Sequence, residues 1–386
     1  MKILHNPTTL QHRTRELVGA RLIDAYESPE RLTSILTALH ANPCYEITEV
    51  ATDLDAATAA AAKVHTAEYL AHVGTIFESW LAEGMVEPDG CVLPECFPVI
   101  RLGGNKTRQP RDLAARVGYY AFDMSTGISR ETYASAIASA DLARRGAELL
   151  ATQNDEVGGL VFSLCRPPGH HCQTNLMGGY CYLNNTAIAV RTLLDSLPNP
   201  DEQVSILDLD FHHGNGTQSI FYSQRNPCYV SIHGEDEYPY FTGSPEETGE
   251  GEGEGYNLNL PLPIEMGDFD NYRPRLHEAV AKIRSVRTRW LVVSLGFDTF
   301  VGDPVGKFQL ERENYEEMGA IVGGMGLPTL VVLEGGYVVE ELGNNCLAFL
   351  RGLEKGYADS VNASPKLGSE EDWEEVRPEE TADEVR

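Results

Sequence analysis

Short, largely apolar runs rich in β-branched residues recur along the chain: Leu160–Leu164, Val204–Asp208, Tyr229–Ile232, Leu291–Leu295 and Thr329–Leu333. Each is bounded by Gly, Pro or charge, and none alternates regularly with polar positions. Such runs predict strands buried on both faces, the arrangement of a parallel sheet covered by helices. The segments between them have helical character. Ser129–Leu150 is alanine-rich with apolar residues returning at Tyr133, Ile137 and Leu149, and Thr186–Leu197 and Pro274–Val286 also fit. This alternation predicts a doubly wound α/β layer structure with a mostly parallel central sheet and helices on both faces.

Two stretches break the pattern. Glu83–Arg116 is rich in Gly and Pro with little periodicity and reads as a long ordered loop, of the kind that carries function or an oligomer contact. From Lys355 onward the chain ends in SEEDWEEVRPEETADEVR, where nine acidic side chains face two arginines. That composition predicts a solvated, flexible acidic tail. The expected organisation is one folded unit over residues 1–354, with residues 83–116 as an insertion, followed by a tail over 355–386.

Composition narrows the class. At 386 residues, 42% hydrophobic and 23% charged, the chain is globular rather than disordered or fibrous. Lys and Arg number 30 against 58 Asp and Glu, a formal net charge of −28. A surface that acidic repels phosphate backbones, which argues against a nucleic-acid partner, and steers cations inward. No stretch approaches 18 consecutive apolar residues, and the N-terminus lacks the apolar core of a signal peptide. The eight cysteines include no C-x-x-C pair, the usage of a reducing compartment. A cytoplasmic protein is expected, with nothing in the sequence against the nucleus.

The chemistry concentrates at predicted strand ends. Five of the eleven histidines (His170, His171, His212, His213 and His233) lie just after strands, where doubly wound sheets bind their ligands. Asp208, Asp210 and His212 follow one another at every second position, which on an extended segment turns them the same way. Polar groups so placed at the end of a buried strand need a cation or a hydrogen-bond network. Asp298 follows Leu295 in the same manner. Asp210, His212 and Asp298 therefore predict a divalent metal site with open positions, suited to Zn²⁺, with Fe²⁺ or Co²⁺ conceivable. His170 and His171, after a Pro-Pro-Gly turn, suit proton transfer beside that metal, with Asp208 and Asn215 as candidate orienting partners. Tyr337, swung out by Gly335-Gly336, is placed to donate to a developing oxyanion.

RPPGHH, GGYCYLNN, LDLDFHHGNGTQ, SLGFDTFVGDP and EGGY occur in this order. With them the chain resembles, from about Met1 to Leu353, the zinc-dependent family of histone deacetylases and acetylpolyamine amidohydrolases, on its amidohydrolase and class II side. The resemblance implies the arginase/deacetylase fold and hydrolysis of an acetyl amide to acetate and a free amine. It implies zinc on Asp210, His212 and Asp298, His170 and His171 as the catalytic pair with His171 as general base and acid, and Tyr337 polarising the carbonyl. It further implies a structural K⁺ near Asp208, Asp210, His212 and Ser231, and a narrow tunnel walled by Gly179, Tyr180 and Phe241.

The departures bear on substrate. Bacterial acetylpolyamine amidohydrolases carry acidic residues in and after the long loop, where this chain has Asp112-Leu-Ala114-Ala115-Arg116 and then Ser125-Thr126. Glu16 matches one such acid as an amine contact, and Asp123 lies close by. Vertebrate polyamine deacetylases place a glutamate after Gly-Asp-Pro, where this chain has Val305 lining the tunnel. The resemblance also implies a homodimer through the long loop. A small cationic acetylated amine is the expected substrate, with acetyl-lysine peptides as the alternative. A catalytically silent binding protein and a two-metal ureohydrolase are the more distant readings.

Overall fold

The computed structural model describes residues 1–98, 108–152 and 159–363. Eight strands form one sheet: β1 (Lys2–His5), β4 (Glu46–Glu49), β5 (Leu160–Ser163), β6 (Gln203–Asp208), β7 (Cys228–Gly234), β8 (Asn257–Leu262), β9 (Thr288–Leu295) and β10 (Thr329–Leu333). A separate antiparallel hairpin pairs β2 (Arg15–Val18) with β3 (Arg21–Asp24). The large sheet runs β4-β1-β5-β10-β9-β6-β7-β8, and every neighbouring pair in it is parallel.

The five apolar runs all become strands, and four of them (β5, β10, β9 and β6) lie side by side in the middle of the sheet. Their residues are almost entirely buried, because helices cover both faces. On one face pack the helices Leu54–Ala61, Thr132–Thr152 and Asn185–Leu194; on the other pack Pro29–His40, Phe269–Ser285, Arg312–Gly323 and Val339–Ala363. This is the two-faced α/β architecture that the alternation predicts. The sheet order brings segments distant in sequence to one edge, so the loops after β5, β6, β9 and β10 share a single crevice.

Three sheet strands escape the hydrophobic pattern. β1 and β4 are only four residues long, and β4 (Glu-Ile-Thr-Glu) is largely exposed at an edge. β8 alternates with Asn257 and Asn259, whose buried amides bond to Gln218. One helix begins earlier than its sequence signal: Asp268 accepts the Asn271 N–H at 3.0 Å as a cap, so the helix starts at Phe269 and Pro274 lies within it.

The expected tail boundary at residue 355 falls inside the helix Val339–Ala363, which continues nine residues past it. Its amphipathic period simply persists, with Leu353 and Gly356 buried. The rest of the predicted acidic tail, residues 364–386, lies outside the described residues. So does part of the long loop, residues 99–107, while its last four residues begin the helix Leu113–Tyr119, capped by Asp112. No helix among the described residues is long and apolar enough to cross a membrane.

Candidate active site

The crevice gathers three side chains from two strand ends. Asp210 and His212 follow β6, and Asp298 follows β9; one ligand atom of each lies within 4.8 Å of the other two. His212 Nδ1 sits 3.0 Å from Asp298 Oδ2 and 3.3 Å from Asp210 Oδ1. Backbone amides fix the carboxylates: Phe211 N–H donates to Asp298 Oδ1 and Gly335 N–H to Asp210 Oδ2. Burial together with the charge of Asp210 pushes Asp298 up to about 7. Against the cost of burial, the two carboxylates raise His212 to about 10. Two buried carboxylates this close hold their charges only beside a cation. A compact set of one imidazole nitrogen and two carboxylate oxygens fits a divalent ion with open coordination positions.

The tandem histidines sit beside this triad, held by the loop after β5. Their rings are 4.1 Å apart. Glu334 Oε2 accepts the N–H groups of Gly169 and His170, which fixes the turn. The structure assigns the two orienting partners. His170 Nδ1 lies 3.2 Å from Asp208 Oδ2, and His171 Nδ1 lies 2.8 Å from Asn215 Oδ1. The partners differ in charge, and so do the histidines. Despite burial, Asp210 and Asp208 raise His170 to about 10, whereas burial and the neighbouring His170 and His212 push His171 well down. One imidazole is thus biased to hold a proton and the other to accept one.

Tyr337 follows β10 and enters from the opposite side. Its N–H donates to Asp303 Oδ2 at 2.7 Å, and burial pushes its hydroxyl well above the usual tyrosine range, so it stays a proton donor. Behind it lies a support that the motifs do not announce. Arg31 donates from Nε to Gly336 O at 2.6 Å and from Nη2 to Glu334 O at 2.5 Å, and its guanidinium lies 4.8 Å over the Tyr337 ring. Buried Glu27 neutralises both Arg31 and Arg166, each at 2.8 Å. These residues are scattered through the first 31 positions and the Arg-Pro-Pro turn, so only the fold reveals their partnership.

A cavity of about 450 Å³ leads from the surface to His171, His212 and Tyr337. Gly179, Tyr180, Val305 and Glu16 line it, as the resemblance implies. Gly179 has φ of +55°, and a Cβ there would come within 2.2 Å of the His171 ring, so only glycine allows the wall to pass this close. Glu16 is buried and its Oε1 accepts the Tyr180 hydroxyl at 2.9 Å. Phe241 is not a wall of this cavity: it is 92% exposed and lines a different depression. Within the tight turn after β7, Tyr240 N–H bonds Glu237 O and Phe241 N–H bonds Pro239 O, which turns Phe241 outward. The aromatic wall is Tyr238, whose ring lies 5.0 Å from His171 and 5.8 Å from His212. Its hydroxyl donates to Asp123 at 2.7 Å.

Three of the five clustered histidines converge on the triad; the other two do not. His213 and His233 lie 4.7 Å apart and bond to Thr242 and to the Gly243 carbonyl, holding the following loop. Ser231 is the register partner of Asp208 in the neighbouring strand, and its hydroxyl bonds His233 Nδ1 at 2.8 Å.

Comparison with known proteins agrees with this geometry. Residues 25–353 match the histone deacetylase domain, a span that holds the triad, the His170–His171 pair and Tyr337. The chain belongs to the histone deacetylase family. Within the family, it is 39% identical over 347 residues to acetylpolyamine amidohydrolase 2 of Pseudomonas aeruginosa, covering 89% of this chain and 96% of that protein. It is 37% identical to the acetylpolyamine amidohydrolase of Mycoplana ramosa, with the same coverage. The crystal structure of the Burkholderia pseudomallei acetylpolyamine aminohydrolase superposes with a TM-score of 0.82 at 31% identity, over 92% of this chain and 99% of that one. The match begins after β1 and the Glu16 hairpin, yet β1 lies between β4 and β5 in the sheet and Glu16 lines the cavity. The histone deacetylase fold of this chain therefore includes its first residues.

Proposed function

We propose that this protein is a zinc-dependent amidohydrolase that removes acetyl groups from small acetylated primary amines. The observation that carries the reading is the meeting of the Asp210–His212–Asp298 triad, the His170–His171 pair and Tyr337 at the inner end of one cavity. Relatives named acetylpolyamine amidohydrolases match nearly the whole chain.

Asp210, His212 and Asp298 would hold the zinc, which when bound supplies Lewis acidity toward the acetyl carbonyl and acidifies water. His171, kept neutral by burial, accepts the proton of the attacking water at Nε2, since Nδ1 is committed to Asn215. Tyr337 donates a hydrogen bond to the carbonyl oxygen as negative charge builds there. The C–N bond then breaks, the histidine pair returns a proton to the leaving nitrogen, and acetate and a primary amine result. Tyr180, Tyr238 and Gly179 leave room for an unbranched methylene chain, which favours acetylated diamines over branched acyl amides.

Two accessory features belong to the same reading. Asp208 and Ser231, paired in register below the triad, suit a structural K⁺ together with carbonyls of Asp210 and His212. The loop over residues 83–116 is read as a homodimer contact that narrows the entrance. Acetyl-lysine in peptides is the second substrate reading, because Met124 and Tyr240 at the mouth are exposed apolar surface.

The test is reversible metal removal. Dialysis against a strong chelator is expected to abolish acetate release from N-acetylputrescine, and one equivalent of Zn²⁺ to restore it. Full activity in metal-stripped protein overturns the reading.

A further inference from the structure

The chain as a whole carries a charge of −28, which favours polycations. The charges at the mouth of the cavity tell a different story. Three carboxylates line it: Glu16, Asp123 and Glu237. Asp123 is saturated by donors. Its oxygens accept Gly179 N–H at 2.8 Å, the Tyr238 hydroxyl at 2.7 Å, the Ser125 N–H and hydroxyl at 3.1 and 2.6 Å, and the Thr126 hydroxyl at 3.3 Å. Its capacity is spent on holding the tunnel wall. Glu237 is paired with Lys307, whose Nζ lies 2.6 Å from Oε1. Lys307 lines the same cavity and is itself half-exposed. Glu16 keeps an oxygen, Oε2, with no donor among the described residues, and no ion pair of the described residues matches its charge as Lys307 matches that of Glu237.

We infer that the Lys307–Glu237 pair is a charge filter that restricts the substrate to one ammonium beyond the acetylated nitrogen. The inference rests on the proposed amide hydrolysis and names its substrate class. Acetylation removes one charge, so an acetylated diamine presents a single ammonium, which the free oxygen of Glu16 satisfies. An acetylated triamine presents a second ammonium further out. There it meets Lys307, and the anion beside it, Glu237, is already neutralised. Like charges in a partly desolvated mouth repel, and an ammonium left without a partner loses hydration for nothing in return. The short acetylated diamine is therefore the preferred substrate, and Lys307 the residue that sets the preference.

N-acetylputrescine and N8-acetylspermidine form a matched pair, since both place four methylenes before the first ammonium and only the second adds another charge. The wild-type protein is expected to show kcat/KM at least tenfold higher for N-acetylputrescine at low salt, with the ratio shrinking as ionic strength rises, because a half-exposed charge is screened. Lys307→Met, which keeps length and removes charge, is expected to lower that ratio about tenfold. Lys307→Glu is expected to lower it further, and Lys307→Arg to keep the wild-type ratio. A wild type that prefers N8-acetylspermidine, or a ratio unmoved in Lys307→Met and Lys307→Glu, overturns the filter. Acetate release from neither amine instead overturns the proposed hydrolysis, so the two failures are distinguishable.

Discussion

His171 and Asn215 face each other across 2.8 Å, ring Nδ1 to amide Oδ1, inside a fully buried site. The amide accepts the Nδ1 proton and leaves Nε2 as the lone pair directed into the cavity. Asn215 opens the helix Asn215–Phe221, so its side chain is held by a rigid element rather than a loose turn. Removing the partner frees the ring to rotate or change tautomer. Asn215→Ala is expected to lower kcat by 10–100-fold with little change in KM or bound zinc, as for other groups that orient a catalytic imidazole. Steady-state kinetics with metal analysis on the same preparation checks it.

Asp298 contributes Oδ2 to the triad and receives the Phe211 N–H on its other oxygen. Asp298→Ala removes one of the three protein donors. The expected result is loss of stoichiometric zinc after gel filtration and no acetate release. A variant that retains one equivalent of metal by mass spectrometry contradicts the ligand set.

Tyr238 and Phe241 lie three residues apart in one turn but on opposite sides of it. Tyr238→Ala opens the wall beside His171 and is expected to raise KM for acetylated diamines about tenfold or more. Phe241→Ala is expected to leave kcat and KM unchanged and to shift stability by no more than about 0.5 kcal/mol, as for an exposed side chain. Parallel kinetics on the two variants separates them.

His65 stands outside the triad and gives a pH-dependent stability. Its Nε2 accepts the Asn184 N–H at 2.9 Å, which requires that nitrogen to be unprotonated, and burial lowers the ring to about 4. The unfolded histidine titrates near 6.5, so between about pH 6.5 and 4 the unfolded chain binds a proton that the folded one refuses. The stabilisation is complete above pH 6.5 and is lost as the pH falls toward 4. Urea unfolding at pH 7 and pH 5 is expected to show the wild type losing about 2 kcal/mol more than His65→Gln over that interval.

The central strands and the triad were legible in the sequence for a common reason. A strand buried on both faces has to be continuously apolar, so Asp208, Asp210 and Asp298 at such strand ends stand out against their surroundings. The four-residue strands β1 and β4 are not legible, because β4 lies at the exposed edge of the sheet and a run as short as β1 carries too few positions to show a pattern. The outward position of Phe241 is not legible, because two aromatics in one turn look alike until backbone hydrogen bonds decide which faces inward. Arg31 is invisible as a support of Tyr337, since its partners Glu334 and Gly336 lie some 300 positions away, and Glu27 acts only through Arg31. The helix past residue 355 looks like tail in the sequence because local charge outweighs a period that continues through Leu353 and Gly356.

The most direct test of the account compares acetate release by the wild type and Tyr337→Phe, at equal zinc content, with N-acetylputrescine as substrate. The substitution removes one hydroxyl and leaves the Asp303 backbone anchor and the ring packing on Arg31 in place. The account predicts a fall in kcat of about 10²–10³-fold, the scale for losing a donor to a developing oxyanion, with zinc still bound. Equal rates in the two proteins contradict it.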